Sequence, residues 1–154
     1  MKIDLPDTPA ELKARALRHL VRREHSRAEL ARKLAPHAES SEVLGAVLDQ
    51  LLSKKQQSDE RFAEERARTL SRKYGAAKVR QDLKARGIAD EIVNRISSDG
   101  ELERARGILA RKYRGPVTTR EERAKRARFL QGRGFSQDVI YRVIDHDEST
   151  EIPV

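Results

Sequence analysis

The chain has 154 residues, with 33 Lys and Arg against 25 Asp and Glu, for a formal net charge of +8. That length suits one ordinary domain or a short array of small modules and excludes two large domains. The lack of cysteine excludes a disulfide framework, a thiolate metal cluster and a catalytic cysteine, and a patterned 37% hydrophobic content excludes wholesale disorder.

Nowhere does the sequence approach the roughly 18 consecutive apolar residues of a membrane span. Met1 to Pro9 also lacks the apolar core of a secretory signal. The expectation is a cytoplasmic protein with no membrane partner. Charge is unevenly distributed. Residues 101–144 carry 12 basic and 5 acidic side chains, whereas residues 145–154 hold Asp145, Asp147, Glu148 and Glu151 and no base. A basic body of this kind points to a polyanion, either nucleic acid or an acidic protein surface.

Helical signals recur throughout, and no strand signal appears. Thr8-Pro9-Ala10-Glu11 opens a first helix with a capping box and a proline at its first position. Its apolar stripe is read as Leu17, Leu20 and Val21 with Ala10 and Ala14. Ser26-Arg27-Ala28-Glu29 caps a second helix with Leu30 and Leu34, which stops near Pro36. Ser40 or Ser41 starts a third, faced by Val43, Leu44, Val47, Leu48, Leu51 and Leu52. Ser58 caps a long helix with Phe62, Ala63, Ala67 and Leu70, expected to end near Gly75. A short helix with Val79 and Leu83 ends at Gly87, where a left-handed residue is expected. Another short one carries Ile92, Val93 and Ile96. Leu102, Ala105, Ile108 and Leu109 mark the seventh helix, closed by Gly115-Pro116. Thr119-Arg120-Glu121-Glu122 caps the eighth, with Ala124, Ala127 and Leu130 and Gly134 beyond. Ser136 caps the last, with Val139, Ile140, Val143 and Ile144.

The nine helices fall into three groups in register. Leu34, Leu83 and Leu130 are separated by 49 and 47 residues. The pairs Val43-Leu44, Ile92-Val93 and Val139-Ile140 follow at equal offsets, and then Val47, Ile96 and Val143. Four positions before the leucine, Leu30 and Val79 agree but Arg126 does not. Repeats are therefore expected at 10–53, 58–98 and 101–146, with a disordered acidic tail at 147–154. Trios this small cannot bury a core alone and must stack on neighbours. The fold expected is all-α, an elongated, curved array of three tandem three-helix repeats.

No chemistry of catalysis is assembled. His19, His25, His37 and His146 include no i, i+4 pair for a helical metal site. Glycines fall singly at helix ends, so no phosphate-cradling loop forms. Asp59-Glu60 and Glu64-Glu65 read as an acidic first turn that favours the helix dipole. The reading is a non-enzyme without cofactor or metal. The candidate partner-binding and nucleic-acid-binding residues are basic: Lys78, Arg80, Lys84 and Arg86 around one apolar seam, and Arg120, Arg123, Lys125, Arg126, Arg128 and Arg133 around another. Tyr74, Tyr113 and Tyr141 sit near helix ends or core stripes, so no base-stacking platform is expected.

Four segments in order carry a resemblance: His25 to Leu34 (HSRAELARKL), Asp59 to Ala63 (DERFA), Leu83 to Ile88 (LKARGI) and Arg128 to Phe135 (RFLQGRGF). Across about residues 12–145 the chain resembles the RecX regulatory proteins of bacterial recombination. Two features depart from that family: Lys54-Lys55-Gln56-Gln57-Ser58 lacks its glycine–apolar turn, and the acidic tail is not one of its hallmarks. The resemblance implies a modulator of the RecA recombinase built from tandem three-helix repeats. Such a protein binds RecA–DNA filaments in the helical groove. There it suppresses ATP hydrolysis, strand exchange and coprotease activity, and so modulates recombination and the SOS response. The recombinase filament is the implied partner, with single- or double-stranded DNA a further one, and the chain is expected to be a monomer. The alternative is a helix-turn-helix protein acting directly on duplex DNA through the 26–52 or 76–97 helix pair.

Overall fold

The computed structural model describes residues 5–149, with side chains through Ile144. Among the described residues there are nine α-helices and no strand: α1 (Pro9–Arg22), α2 (Arg27–Leu34), α3 (Ser41–Ser53), α4 (Asp59–Leu70), α5 (Ala76–Ala85), α6 (Asp90–Val93), α7 (Glu101–Lys112), α8 (Arg120–Gly132) and α9 (Gln137–Ser149). A short 3₁₀ turn, Ala35–His37, follows α2 at Pro36. What remains of the acidic tail beyond Ser149 lies outside the described residues.

Local chemistry sets most helix starts. Thr8 and Glu11 form the reciprocal capping box of α1. Ser26, Ser40 and Thr119 accept the backbone N–H three residues on, at α2, α3 and α8. Ser58 and Ser136 do the same at α4 and α9. Two elements are shorter than their pattern predicts. The long helix ends at Leu70 and not near Gly75, and α6 is a single turn that leaves Ile96 outside it.

The first stripe needs correction. Leu12 and Ala16 are wholly buried, while Val21 is 87% exposed and Ala10 and Ala14 are exposed. The spacing of Leu12, Ala16 and Leu20 is four throughout, which keeps them on one face. Ala10, Ala14 and Val21 lie on the opposite side. On α3, Leu52 is likewise half-exposed while Leu51 is fully buried.

The chain divides into two compact units, Met1–Arg66 with Leu83–Val93, and Ala67–Asp82 with Asn94–Val154. The division falls inside α4 and α5. In the first unit the core gathers Leu12, Leu30, Leu34, Val47, Leu48 and Leu51. In the second, Ala105, Ile108, Leu109, Leu130, Phe135, Ile140, Val143 and Ile144 form its counterpart. Leu34, Leu83 and Leu130, the three in-register leucines, are each fully buried.

Each unit contains the same joint. In the first, the Ser26 hydroxyl donates to the Arg86 carbonyl at 3.1 Å, and the Arg27 N–H donates to Asp59 Oδ1 at 2.8 Å. In the second, 49 residues on from Ser26 and Arg27, the Gly75 N–H donates to the Arg133 carbonyl at 2.7 Å, and the Ala76 N–H donates to the Glu101 carboxylate. Within each unit, an acid from the first turn of the following repeat's leading helix, α4 or α7, thus accepts a backbone N–H at the N-terminus of α2 or α5. Asp59 therefore does more than oppose its own helix dipole. It also accepts from Gln57 Nε2 at 2.9 Å, and Gln57 is buried.

Gly87 and Gly134 end α5 and α8 in the left-handed region, at φ +83° and +91°. The following N–H reaches back to Leu83 and to Leu130, closing a Schellman turn at each. The same turn closes α3, where Gln56 N–H donates to the Leu51 carbonyl, but its left-handed residue is Lys55 at φ +59°. This is the segment that lacks the family glycine. Lys55→Gly is expected to relieve the Cβ strain and stabilise the chain by about 0.5–1 kcal/mol, net of the entropy glycine adds to the unfolded chain. A thermal midpoint raised by about 1–4 °C is the corresponding result, and an unchanged or lower midpoint would contradict the assignment.

His25 is buried in the first unit at 2% exposure. Its Nδ1–H donates to the Arg23 carbonyl at 3.0 Å, which leaves Nε2 to accept from Lys33 Nζ at 2.9 Å. Burial pushes the imidazole below its ordinary value of 6.5, and Arg23 and Lys33 act in the same direction against Glu29 and the backbone contact. The His19 ring lies beside it, tilted by 51° with ring centroids 5.6 Å apart. A histidine depressed in the folded state contributes its stability above 6.5 and loses it as pH falls below that value. Denaturant midpoints taken on either side should show this acid loss, and His25→Gln should reduce it.

Candidate nucleic-acid interface

The basic residues picked out by sequence divide into three kinds of environment. Arg86, near the end of α5, lies 3.6 Å from buried Glu29 and joins the first unit's joint. Lys84 faces Asp90 at 3.8 Å, both exposed. Arg80 donates to the Ile96 carbonyl at 2.8 Å and to Ser98 at 3.1 Å, tying down the stretch that α6 leaves irregular. Lys78 is exposed, donates to the Gly132 carbonyl at 2.9 Å and lies over the Tyr74 ring. Of the α8 set, Arg120, Arg123, Lys125 and Arg128 are exposed.

Arg126 is the exception. It is 4% exposed, donates to Glu122 at 3.2 Å and to the Gly115 carbonyl at 3.1 Å, and stacks on Tyr113. It occupies the position held by Leu30 and Val79, both buried, in the preceding repeats. The mismatch in the repeat is therefore a real core position, filled by an arginine whose stem packs and whose head is fully partnered. Arg126 is turned inward and presents no charge to a partner.

A basic groove that the sequence reading did not assemble lies within the second unit. Two adjoining recesses of about 570 and 630 Å³ share Arg72, Ile108 and Arg111. The first is rimmed by Arg68, Arg72, Arg104 and Arg111, and the second adds Lys73, Lys112 and Arg133. No carboxylate lines either recess. Three of the guanidiniums are tied to backbone carbonyls: Arg111 donates to the Arg72 carbonyl, Arg133 to the Lys73 carbonyl and Arg104 to the Asp99 carbonyl. Arg133 is further held between two rings, 5.4 Å from the Tyr74 centroid and 5.0 Å from that of Phe129. Aromatics thus lie among this charge as supports for cations. The signal was present in the spacing. Arg68 and Arg72 are four apart, and Arg104, Gly107 and Arg111 recur on one face of α7.

Among the described residues, no group of three or more metal-ligating side chains is found, and no helix is long and apolar enough to cross a membrane. Fold and surface together define an all-helical protein of tandem three-helix units with a strongly basic face. Models of the first, second and third three-helix domains of RecX match residues 13–51, 58–95 and 99–144 in order. The chain belongs to the RecX family.

Proteins named "Regulatory protein RecX" are similar over most of their length. That of Ralstonia nicotianae is 43% identical over 143 residues, covering 91% of this chain and 90% of that protein. That of Herbaspirillum seropedicae is 44% identical over 135 residues, covering 86% and 88%. The crystal structure of RecX from Lactobacillus salivarius superposes with a TM-score of 0.80 at 21% identity, over 92% of this chain and 97% of that one. A likeness at that identity speaks for the fold. The relatives' shared name supports a regulatory role.

Proposed function

We propose that this protein regulates homologous recombination by binding RecA–DNA filaments in their helical groove. Occupying that groove and bridging protomers suppresses ATP hydrolysis, strand exchange and coprotease activity, with no covalent chemistry by the regulator itself. The observation that carries this reading is family membership across nearly the whole chain, with three RecX domains in order. The exposed cations of α8 and of the groove supply charge complementary to a nucleoprotein surface.

Co-sedimentation with filaments of the RecA protein from the same bacterium, at low and at high salt, tests it. The expected result is retention of the protein in the pellet together with a lower rate of ATP hydrolysis at substoichiometric amounts. No retention and an unaltered rate would overturn the proposal. Steep salt dependence and sequence preference on naked duplex would point instead to a direct duplex-binding regulator.

A further inference from the structure

We infer that the groove rimmed by Arg68, Arg72, Arg104, Arg111, Lys112 and Arg133 is a phosphodiester-backbone site for a DNA strand, gripped without regard to base sequence. The inference rests on the filament-regulator reading for its biological setting and deepens it by naming which surface meets DNA.

Three observations carry it. The lining is wholly one-signed, with arginine and lysine from the end of α4, from α7 and from the turn after α8, and no acid among them. A lining of one sign suits a uniformly anionic partner, of which a phosphodiester backbone is the most regular. Second, three guanidiniums spend one donor each on a backbone carbonyl, Arg104 on Asp99, Arg111 on Arg72 and Arg133 on Lys73. Each guanidinium has five donors, and apart from the buried Nε of Arg104 those left over can be directed at a row of phosphate oxygens. Third, the rings in the groove are already engaged. Arg133 and Lys78 lie over Tyr74, and Arg133 and Lys112 over Phe129, so stacking with bases gives way to backbone contact. Recognition through phosphates alone is electrostatic, modest in affinity and indifferent to sequence. Those are the properties a filament regulator needs if it is not to be held on naked DNA.

The test uses the full-length protein and a naked single-stranded oligodeoxynucleotide, with the affinity followed over a salt series. A double variant, Arg68→Ala with Arg72→Ala, removes two exposed cations and is expected to flatten the slope of log affinity against log salt by about 1.4. Lys112→Ala, a milder change, should flatten it by about 0.7. Arg18→Ala with Arg22→Ala, two exposed cations of α1 given no part in binding, should leave the slope unchanged. A slope unmoved by the groove variants, or moved equally by the α1 pair, would overturn the assignment. Inorganic tripolyphosphate, which offers a short row of phosphate oxygens, should displace the strand better than chloride at equal ionic strength but only in large molar excess; stoichiometric displacement would make the groove a small-anion site and refute the inference. Because no recombinase is present, failure here leaves filament binding standing, and failure of filament binding leaves this result standing.

Discussion

Gly134→Ala is expected to destabilise the second compact unit by about 2–4 kcal/mol. Two costs combine. The residue sits at φ +91°, where a Cβ meets the neighbouring carbonyl, and the added methyl would stand 2.6 Å from Lys78 Cβ and 2.8 Å from the Lys78 backbone nitrogen. Backbone cannot swing aside as a flexible side chain can, so α5 would have to lift from the turn. That movement would stretch the bond from Gly75 N–H to the Arg133 carbonyl and misplace Arg133, which helps to hold the groove's floor. Gly107→Ala provides the contrast. It lies in the middle of α7 with nothing within 4 Å of a built Cβ, so alanine there should stabilise by about 0.5–1 kcal/mol. Denaturant unfolding of the two variants beside the parent separates them. Equal effects would mean that glycine at 134 is not required by its surroundings.

The repeat and its punctuation were legible because they are local. Cap residues such as Thr8, Ser26 and Thr119 act within three positions, and the Gly87 and Gly134 turns act within five. The buried leucines at 34, 83 and 130 declare themselves by period alone. What escaped the sequence depends on partners distant along the chain. Asp59 reaches back 32 residues to cap α2, and nothing near Asp59 distinguishes it from an acid that merely favours its own helix. The groove joins residues of α4, α7 and the turn after α8, so neither the Arg68–Arg72 nor the Arg104–Arg111 spacing could name its neighbour. The stripe of α1 was right at Leu17 and Leu20 and misassigned at Ala10, Ala14 and Val21 for a different reason. Alanines fall on both faces of that helix, and only the packing of α2 and α3 decides in favour of Leu12 and Ala16.

Arg126 is where the repeat pattern and the charge pattern make opposite claims, and substitution decides between them. Arg126→Ala should cost about 2–3 kcal/mol, since it empties a core position and strips partners from the Gly115 carbonyl and Glu122. The figure stays below that of a fully buried pair because Glu122 is partly exposed and can take up water. Arg126→Leu should behave differently. It restores the apolar side chain that Leu30 and Val79 provide at this position, and because Gly115 is exposed and Glu122 partly so, water can replace the lost guanidinium bonds, which keeps the variant within about 1 kcal/mol of the parent. Strand binding should likewise survive Arg126→Leu while Arg68→Ala with Arg72→Ala weakens it, because the guanidinium of Arg126 is spent inside the fold. If leucine proves as damaging as alanine, the arginine head group and not the packing sustains this corner of the unit. If leucine leaves stability intact but abolishes strand binding, Arg126 belongs to the interface after all.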